Sequence, residues 1–444
     1  MLGKFILHNI ETKHASGNER PPRVHIYSEA MAPTPNTHGA GLSIYSQVQA
    51  FHDLGCEVEF VFVRTRDNVP SSQSACFKQL IYTIIDARQE RPPRHAQLAY
   101  WAGWPRELSM WQLYPSRNVL LREVKTRMLQ DDTAIHVFHY LRTANVIPSL
   151  PKARTIWSCH EIESEYFAHN FAVDQEREKR QPHGWETRQL RRMSELEREV
   201  ARLSGLVLCV APEEAKRIVE EWSVYHAAYL PLSIANGETT IVSGKYRTAG
   251  ELRLLHIGAF DHLPSYTSLE FLLTRVFPLL DANTLSRLQL EIAGTSEPDG
   301  ARTRAIMEMA RPYPMVRFSG FVEDIRTAYR RNDLQIVAST QATGVRTRIV
   351  ESWAFGLPVL STTVGAGGIK DLAPGRNILI ADEPRDFARI LQELIHAPER
   401  LDEIAVAARQ TYETKYGRRA IAVALQEILN THFGLRLTSA SISR

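Results

Sequence analysis

The chain has 444 residues, 44% hydrophobic and 23% charged: the balance of a soluble globular protein, and a length for two α/β domains of roughly 200 residues each. Lys plus Arg number 53 against 50 Asp plus Glu, so the net charge of +3 supplies no electrostatic footprint for nucleic acid, and none is expected as a partner. Cys56, Cys76, Cys159 and Cys209 form no CxxC pair, the N-terminus lacks the apolar region of a secretory signal, and no apolar window approaches the ~20 residues of a membrane span, so reduced thiols in a cytoplasmic protein are the expectation.

Residues 24–27 make a short apolar run that reads as the first strand, and the turn-rich APTPNTHGAG follows. LSIYSQVQAFHDLG then repeats apolar residues at Leu42, Tyr45, Val48, Phe51 and Leu54, the spacing of one helical face, with Gly55 where a C-cap belongs. EVEFVFV returns as a strand, so the three segments open a doubly wound parallel sheet. AIHVFHY, RTIWSCH and GLVLCVA continue the strand series. Between the last two, WETRQLRRMSELEREVARL places Leu190, Met193, Leu196, Val200 and Leu203 on one helical face, with Arg and Glu on the others as a solvated surface.

Residues 231–250 lapse into turn formers and mark an interdomain linker. A second alternating series follows, with strands at LRLLHIGA, LQLEIAG, VRFSGF, LQIVAST, PVLSTT and NILIA and helices at TSLEFLLTRVFPLL and IVESWAF; from Arg385 the pattern is helical. The expected fold class is α/β, with two doubly wound Rossmann-like domains facing each other across a cleft between the carboxyl ends of their strands. Residues 1–236 form the first domain, 237–410 the second, and a C-terminal helix within 411–444 packs back on the first.

The distinctive residues fall at those strand ends. In TGVRTRIVESWAFGLPVLSTTVGAGGIKDL, Gly344 leads into a helix start that carries Arg346 and Arg348. Free backbone N–H groups at a helix start suit a diphosphate, and two guanidiniums add cationic donors. Glu351 lies farther along the same helix, with a carboxylate that can accept from two neighbouring ribose hydroxyls. Gly365-Ala366-Gly367-Gly368 permits close approach of backbone to a ligand. In the first half, Pro35-Asn36-Thr37-His38-Gly39-Ala40-Gly41 precedes a helix but misses the full G-x-G-x-x-G pattern, which argues against NAD. His160 and Glu161 directly follow the strand RTIWSC, on the edge facing the cleft, whereas His136 and His139 have no metal-ligand spacing and read as structural.

The stretch 344–368 resembles the donor-site signature of the group 1 retaining glycosyltransferases of the GT-B fold, in which a Glu closes a Glu-x7-Glu motif ahead of a Gly-x-Pro-Val strand and a glycine loop. The resemblance extends through LLHIGAFDHLPSYTSLEFLLTRVFPLL, LQLEIAG and VRFSGFVEDIRTAYRRNDLQIVAST, most of the second domain. It implies a nucleotide-sugar donor, UDP- or GDP-linked, held by Gly258, Phe321, Gly344, Arg346, Arg348, Glu351 and Gly365, with the 320–322 backbone beside the base. It implies an acceptor, a glycan or lipid-linked hydroxyl, in the first domain, with His38, Gly39 and Gly41 forming an acceptor and phosphate loop. His160 would stand near the transferred sugar as a catalytic residue, and Glu161 or Glu163 would position the acceptor hydroxyl or assist its deprotonation. Retention of anomeric configuration follows from the family, and no metal or other cofactor is expected.

Two positions depart from that pattern. The loop 258–264 carries no Arg or Lys to neutralise the leaving diphosphate, and Thr343 stands where the first Glu of Glu-x7-Glu belongs. A branch of the family has Gly-x-Arg-x-Lys, which Gly344, Arg346 and Arg348 match with Arg in place of Lys, so these arginines and His262 are expected to supply the charge. The departures leave open a sugar-nucleotide epimerase and a non-catalytic partner subunit of the same fold. The basic clusters at 177–180 and 191–192 are interleaved with Glu and read as solvated surface, with peripheral contact at the inner face of a membrane left open.

Overall fold

The computed structural model describes residues 21–29, 31–33, 39–65, 81–90, 114–151, 154–234, 250–259, 262–294, 300–322, 324–341, 345–435 and 437. Two all-parallel sheets organise the chain. The first contains β1 (Arg23–Ser28), β2 (Glu57–Arg64), β3 (Ile81–Asp86), β4 (Ile135–His139), β5 (Thr155–Cys159), β6 (Leu206–Cys209) and β7 (Ala227–Tyr229), in the order β3-β2-β1-β4-β5-β6-β7. The second contains β8 (Leu252–Ile257), β9 (Leu288–Ala293), β10 (Val316–Gly320), β11 (Leu334–Val337), β12 (Val359–Ser361) and β13 (Leu379–Ile380), in the order β10-β9-β8-β11-β12-β13. Every residue of β4, β5 and β6 is buried, because helices cover both faces of a parallel sheet and leave no solvent side for alternation.

Both sheets reverse their winding at the centre, at β1/β4 in the first and β8/β11 in the second. At such a switch point the loops leave in opposite directions and open a crevice beyond the carboxyl ends of the strands. Register carries this through: β1 pairs with β4 (Tyr27 opposite Phe138) and β4 with β5 (His139 opposite Ser158), so their carboxyl ends finish at one level.

One face of the first sheet packs Tyr27, Phe138 and Trp157 against Leu196 and Val200 of the helix Gly184–Leu203. Met193 is buried on that helix as its spacing implies, but Leu203 at its last turn is 40% exposed. The other face packs Phe60 against Ile44 and Phe51 of the helix Gly39–Asp53, and against Ile421, Leu425 and Leu429 of the C-terminal helix Arg418–Phe433. Arg418 Nε donates to Asp53 Oδ2 at 2.6 Å on the edge of that contact. Leu42, Leu232 and Ile234 share an apolar cluster with Ile349 and Trp353, and Tyr412 Oη donates to the Ile234 carbonyl at 3.1 Å, so the two sheets are joined by packed side chains.

Gly55 closes the first helix with φ 77°. The glycines before it behave differently from the expected loop: Gly39 and Gly41 lie in the first turn of the helix itself. Cys56, Cys159 and Cys209 are free, buried thiols. Cys76 and the expected domain boundary at 236/237 lie outside the described residues.

Candidate active site

Both switch points open into one cavity of about 370 Å³, within the range of small-molecule sites. The first domain contributes Ser43, Tyr140, His160, Glu161 and Tyr166; the second contributes His256, Gly258, His262, Ser339, Arg346 and Arg348.

His160 follows β5 and lies flat against Tyr140, which follows β4, with ring centroids 4.2 Å apart and planes inclined by 15°. Tyr140 holds φ 63°, a left-handed backbone that is uncommon for an aromatic residue and that sets its ring at the cavity wall. His160 Nε2 lies 2.7 Å from Nδ1 of His139, the last residue of β4. Burial pushes His160 down to about 3 and His139 well below the usual imidazole range, so both rings are neutral at physiological pH.

Behind these rings sit buried carboxyl groups. Glu163 accepts from the Leu141 N–H at 2.6 Å and so caps the short helix Tyr140–Ala144 from outside. Burial, then the neighbouring Glu197, pushes Glu163 up to about 8. Glu197 accepts from the backbone N–H of Ser164 at 3.2 Å and from its hydroxyl, and burial raises it to about 7. Glu214 is raised well above the carboxylate range by burial and by Glu161. Of the two carboxylates named for the acceptor, Glu161 lines the cavity, whereas Glu163 is turned into the fold and is neutral at pH 7.

In the second domain, Gly258 lines the cavity with φ 151°, a backbone conformation that favours glycine, and a Cβ there would press on Ser265 Oγ. Arg346 is the N-cap residue of the helix Thr347–Ala354 and lines the cavity at the helix's positive end. Burial lowers its guanidinium, while Glu161 and Glu214 act on it from across the cleft in the opposite direction. Arg348 also lines the cavity and is already engaged: its Nη1 lies 2.5 Å from Glu351 Oε2, which also accepts from Tyr329 Oη at 2.8 Å. Glu351 itself is 4% exposed and stands behind Arg348 rather than on the cavity surface.

The remaining candidates are placed as follows. Phe321, just beyond β10, is 63% exposed and outside the cavity. Gly365 donates its N–H to Thr362 Oγ1 at 2.8 Å, and the space for its Cβ is taken by the Val337 carbonyl. Glycine there lets the loop pack on β11. Gly41 is not among the residues that line the cavity, whereas Ser43 in the next turn is. His38, Thr343 and Gly344 lie outside the described residues. Sequence reasoning missed His139, Tyr140 and Tyr166, and it read His139 as purely structural. No sequence signal brings His139 and His160 together: His139 ends β4 and His160 follows β5, and only the strand order makes these neighbours. Among the described residues no group of three His, Cys, Asp or Glu is arranged to hold a metal, and no helix is long and apolar enough to cross a membrane.

Residues 251–397 match the family model described as Glycosyl transferases group 1. No curated protein matches the chain in sequence. In fold the chain is similar to sucrose-phosphate synthase from Thermosynechococcus elongatus, at 16% identity over 93% of this chain and 99% of that one, with a TM-score of 0.66. It is similar to Anabaena HepE in complex with UDP and glucose, at 13% identity over 92% and 100%, with a TM-score of 0.63. A TarM variant from S. aureus in complex with fondaparinux, alpha-GlcNAc-glycerol and UDP gives 9% identity over 92% and 100%, with a TM-score of 0.64. At these identities the likeness is one of fold, and that fold is GT-B.

Proposed function

We propose that this chain, a GT-B protein with a group 1 glycosyl transferase domain, moves a sugar from a nucleotide-sugar donor to a hydroxyl of a glycan or lipid-linked acceptor, with retention at the anomeric carbon. The observation that carries the reading is the facing of two walls across one cavity: Arg346, at a helix start in the family-matched domain, against His160 and Glu161 of the first domain. The HepE neighbour crystallised with UDP and glucose, and the TarM variant with UDP, support a UDP-sugar as donor.

In this reading the donor diphosphate docks at the N-terminus of the helix Thr347–Ala354, where backbone N–H groups and Arg346 offset its charge. Arg348, held by Glu351, presents its guanidinium at the same wall. The sugar then lies toward His160, a neutral imidazole that hydrogen-bonds a hydroxyl without adding a competing cation. Glu161 orients the acceptor hydroxyl. The anomeric carbon–phosphate oxygen bond breaks, the acceptor oxygen bonds to the same face of that carbon, and the acceptor proton passes to the leaving phosphate. No metal takes part in this scheme.

A thermal-stabilisation panel of UDP-, GDP- and ADP-sugars tests the donor assignment. A ligand at 100 times its dissociation constant stabilises the native state by about 2.7 kcal/mol, which is visible as a melting shift. One responding donor, followed by NMR of the product's anomeric proton, decides both donor and stereochemistry. Silence across the panel with folded protein rejects the transferase reading in favour of a non-catalytic partner, the alternative that the loop 258–264 without Arg or Lys keeps open. Release of nucleotide with an epimerised sugar and no acceptor would favour the epimerase.

A further inference from the structure

We infer that a second cavity, beside the first, holds the far rings of an extended neutral glycan acceptor. The inference rests on the transferase reading and adds to it the acceptor's class and direction. The cavity has a volume of about 360 Å³ and lies between the domains. Val173, of the helix Glu163–Glu178, forms its first-domain wall; Tyr266, Glu270, Arg302, Ala305 and Gln341 form the other.

The two cavities are successive chambers along one helix face. Tyr166 lines the first and Val173 the second, with His169 between them at the three- and four-residue spacing that keeps side chains on a single face. Seven residues of helix advance ~10 Å, a span longer than one pyranose ring. An acceptor whose reacting hydroxyl meets Glu161 therefore extends past Tyr166 into the second chamber.

The lining selects the chemistry. Arg302 stands over the Tyr266 ring, 6.0 Å from its centroid, and Tyr266 Oη donates to Glu270 Oε1 at 3.2 Å. One cation and one anion leave no net charge to attract an anionic group. Gln341 Oε1 and His169 Nε2 are buried and make no hydrogen bond among the described residues, and buried polar atoms of this kind call for a partner from the ligand or water. Val173 and Ala305 offer apolar surface between them. A pyranose, with hydroxyls on its rim and C–H groups on its faces, meets both demands. A prenyl chain would instead leave Arg302, Glu270 and Gln341 desolvated without compensation.

The test uses the full chain, with UDP present, on an array of neutral mono- to hexasaccharides. The wild type is expected to retain oligosaccharides and not monosaccharides. Ala305→Trp, which fills the second chamber, should abolish that retention, and Gln341→Leu should weaken it about tenfold, the loss of one buried hydrogen bond. Both variants should keep the wild-type melting temperature and the wild-type stabilisation by UDP; if Ala305→Trp misfolds, Gln341→Leu decides alone. Oligosaccharide retention unchanged in a folded variant overturns the inference, as does retention of no oligosaccharide, or of polyprenyl phosphate vesicles instead. Loss of oligosaccharide binding in the variants without any UDP response in the wild type would keep the glycan chamber and sink the transferase reading.

Discussion

His139 Nδ1 and His160 Nε2 lie 2.7 Å apart between two buried, neutral imidazoles, so one ring donates and the other accepts. The direction follows from the far side of His139, whose Nε2 is buried and makes no hydrogen bond among the described residues. An orphaned buried N–H is rarer than an orphaned acceptor, which assigns the proton of His139 to Nδ1 and makes His160 Nε2 the acceptor. The proton of His160 then sits on Nδ1, so in the proposed scheme His160 would meet the donor sugar as a hydrogen-bond donor. His139 is a positioning residue that fixes this tautomer.

His160→Ala should lower kcat by about 10²-fold or more and leave donor affinity nearly unchanged, because the contact matters most as charge develops at the anomeric carbon. His139→Ala should lower kcat about tenfold with KM little altered, since His160 remains but loses its orientation. Steady-state kinetics of both variants with the responding donor measure the split. Wild-type kcat in His160→Ala would reduce that ring to a packing element. A His139 effect confined to KM would remove the tautomer argument.

The buried carboxyl Glu163 makes stability fall as pH rises. Its folded-state value is raised to about 8 from 4.5, so its contribution to stability is fully present below pH 4.5 and is lost as pH rises through about 8. Glu197, raised to about 7, loses its contribution in the same direction, as pH rises through about 7. Melting temperature should therefore carry a downward component from pH 5 to pH 8. Glu163→Gln, whose amide oxygen can still accept from Leu141 N–H, should flatten that fall by removing the ionisation at the alkaline end. A melting profile with the same slope in wild type and variant would mean that Glu163 ionises as an ordinary carboxyl.

The alternation of strands and helices made the two doubly wound domains legible, and the continuous apolar runs at β4, β5 and β6 were legible because strands buried on both faces must be written that way. β3 escaped notice because its residues Ile81 and Ile84 are largely exposed at the sheet edge, and β7 because it is three residues long. At the site, His160 and Arg346 could be named from their places after a strand and before a helix. His139 could not, since its meeting with His160 depends on which strands are neighbours, a relation between residues 21 apart. Nor could the sequence show that Gly365 is packed against the Val337 carbonyl, with no room for a Cβ.

In the proposed scheme Glu351 bears on donor binding through Arg348. Its Oε2 takes both Arg348 and Tyr329, so Glu351→Ala leaves a cavity-lining guanidinium without its carboxylate. Breaking a buried pair on one side costs about 3–5 kcal/mol, so this variant should melt lower and bind donor more weakly. Glu351→Gln, able to hydrogen-bond the same partners, should retain most of the stability and show the donor effect by itself. Isothermal titration with the responding nucleotide sugar distinguishes the two. Unchanged affinity in both would remove the Arg348–Glu351 pair from donor binding.

Arg346 should be the least dispensable charge in the cavity. It stands at the helix start, and the carboxylates Glu161 and Glu214 act on it from the first domain. A donor diphosphate arriving there would draw on the same guanidinium, so in the proposed scheme the leaving group finds its compensation in this side chain and in backbone N–H groups rather than in a divalent ion. Two outcomes follow together. Arg346→Ala should lower kcat/KM by about 10²–10³-fold, the scale of losing one preorganised charge donor. Transfer by the wild type should proceed unchanged in excess EDTA. If chelation stops turnover and added Mg²⁺ or Mn²⁺ restores it, the metal-free scheme fails and Arg346 becomes one contributor beside an ion. If turnover survives chelation but also survives Arg346→Ala, the compensating charge comes from Arg348 or His262, which line the same wall.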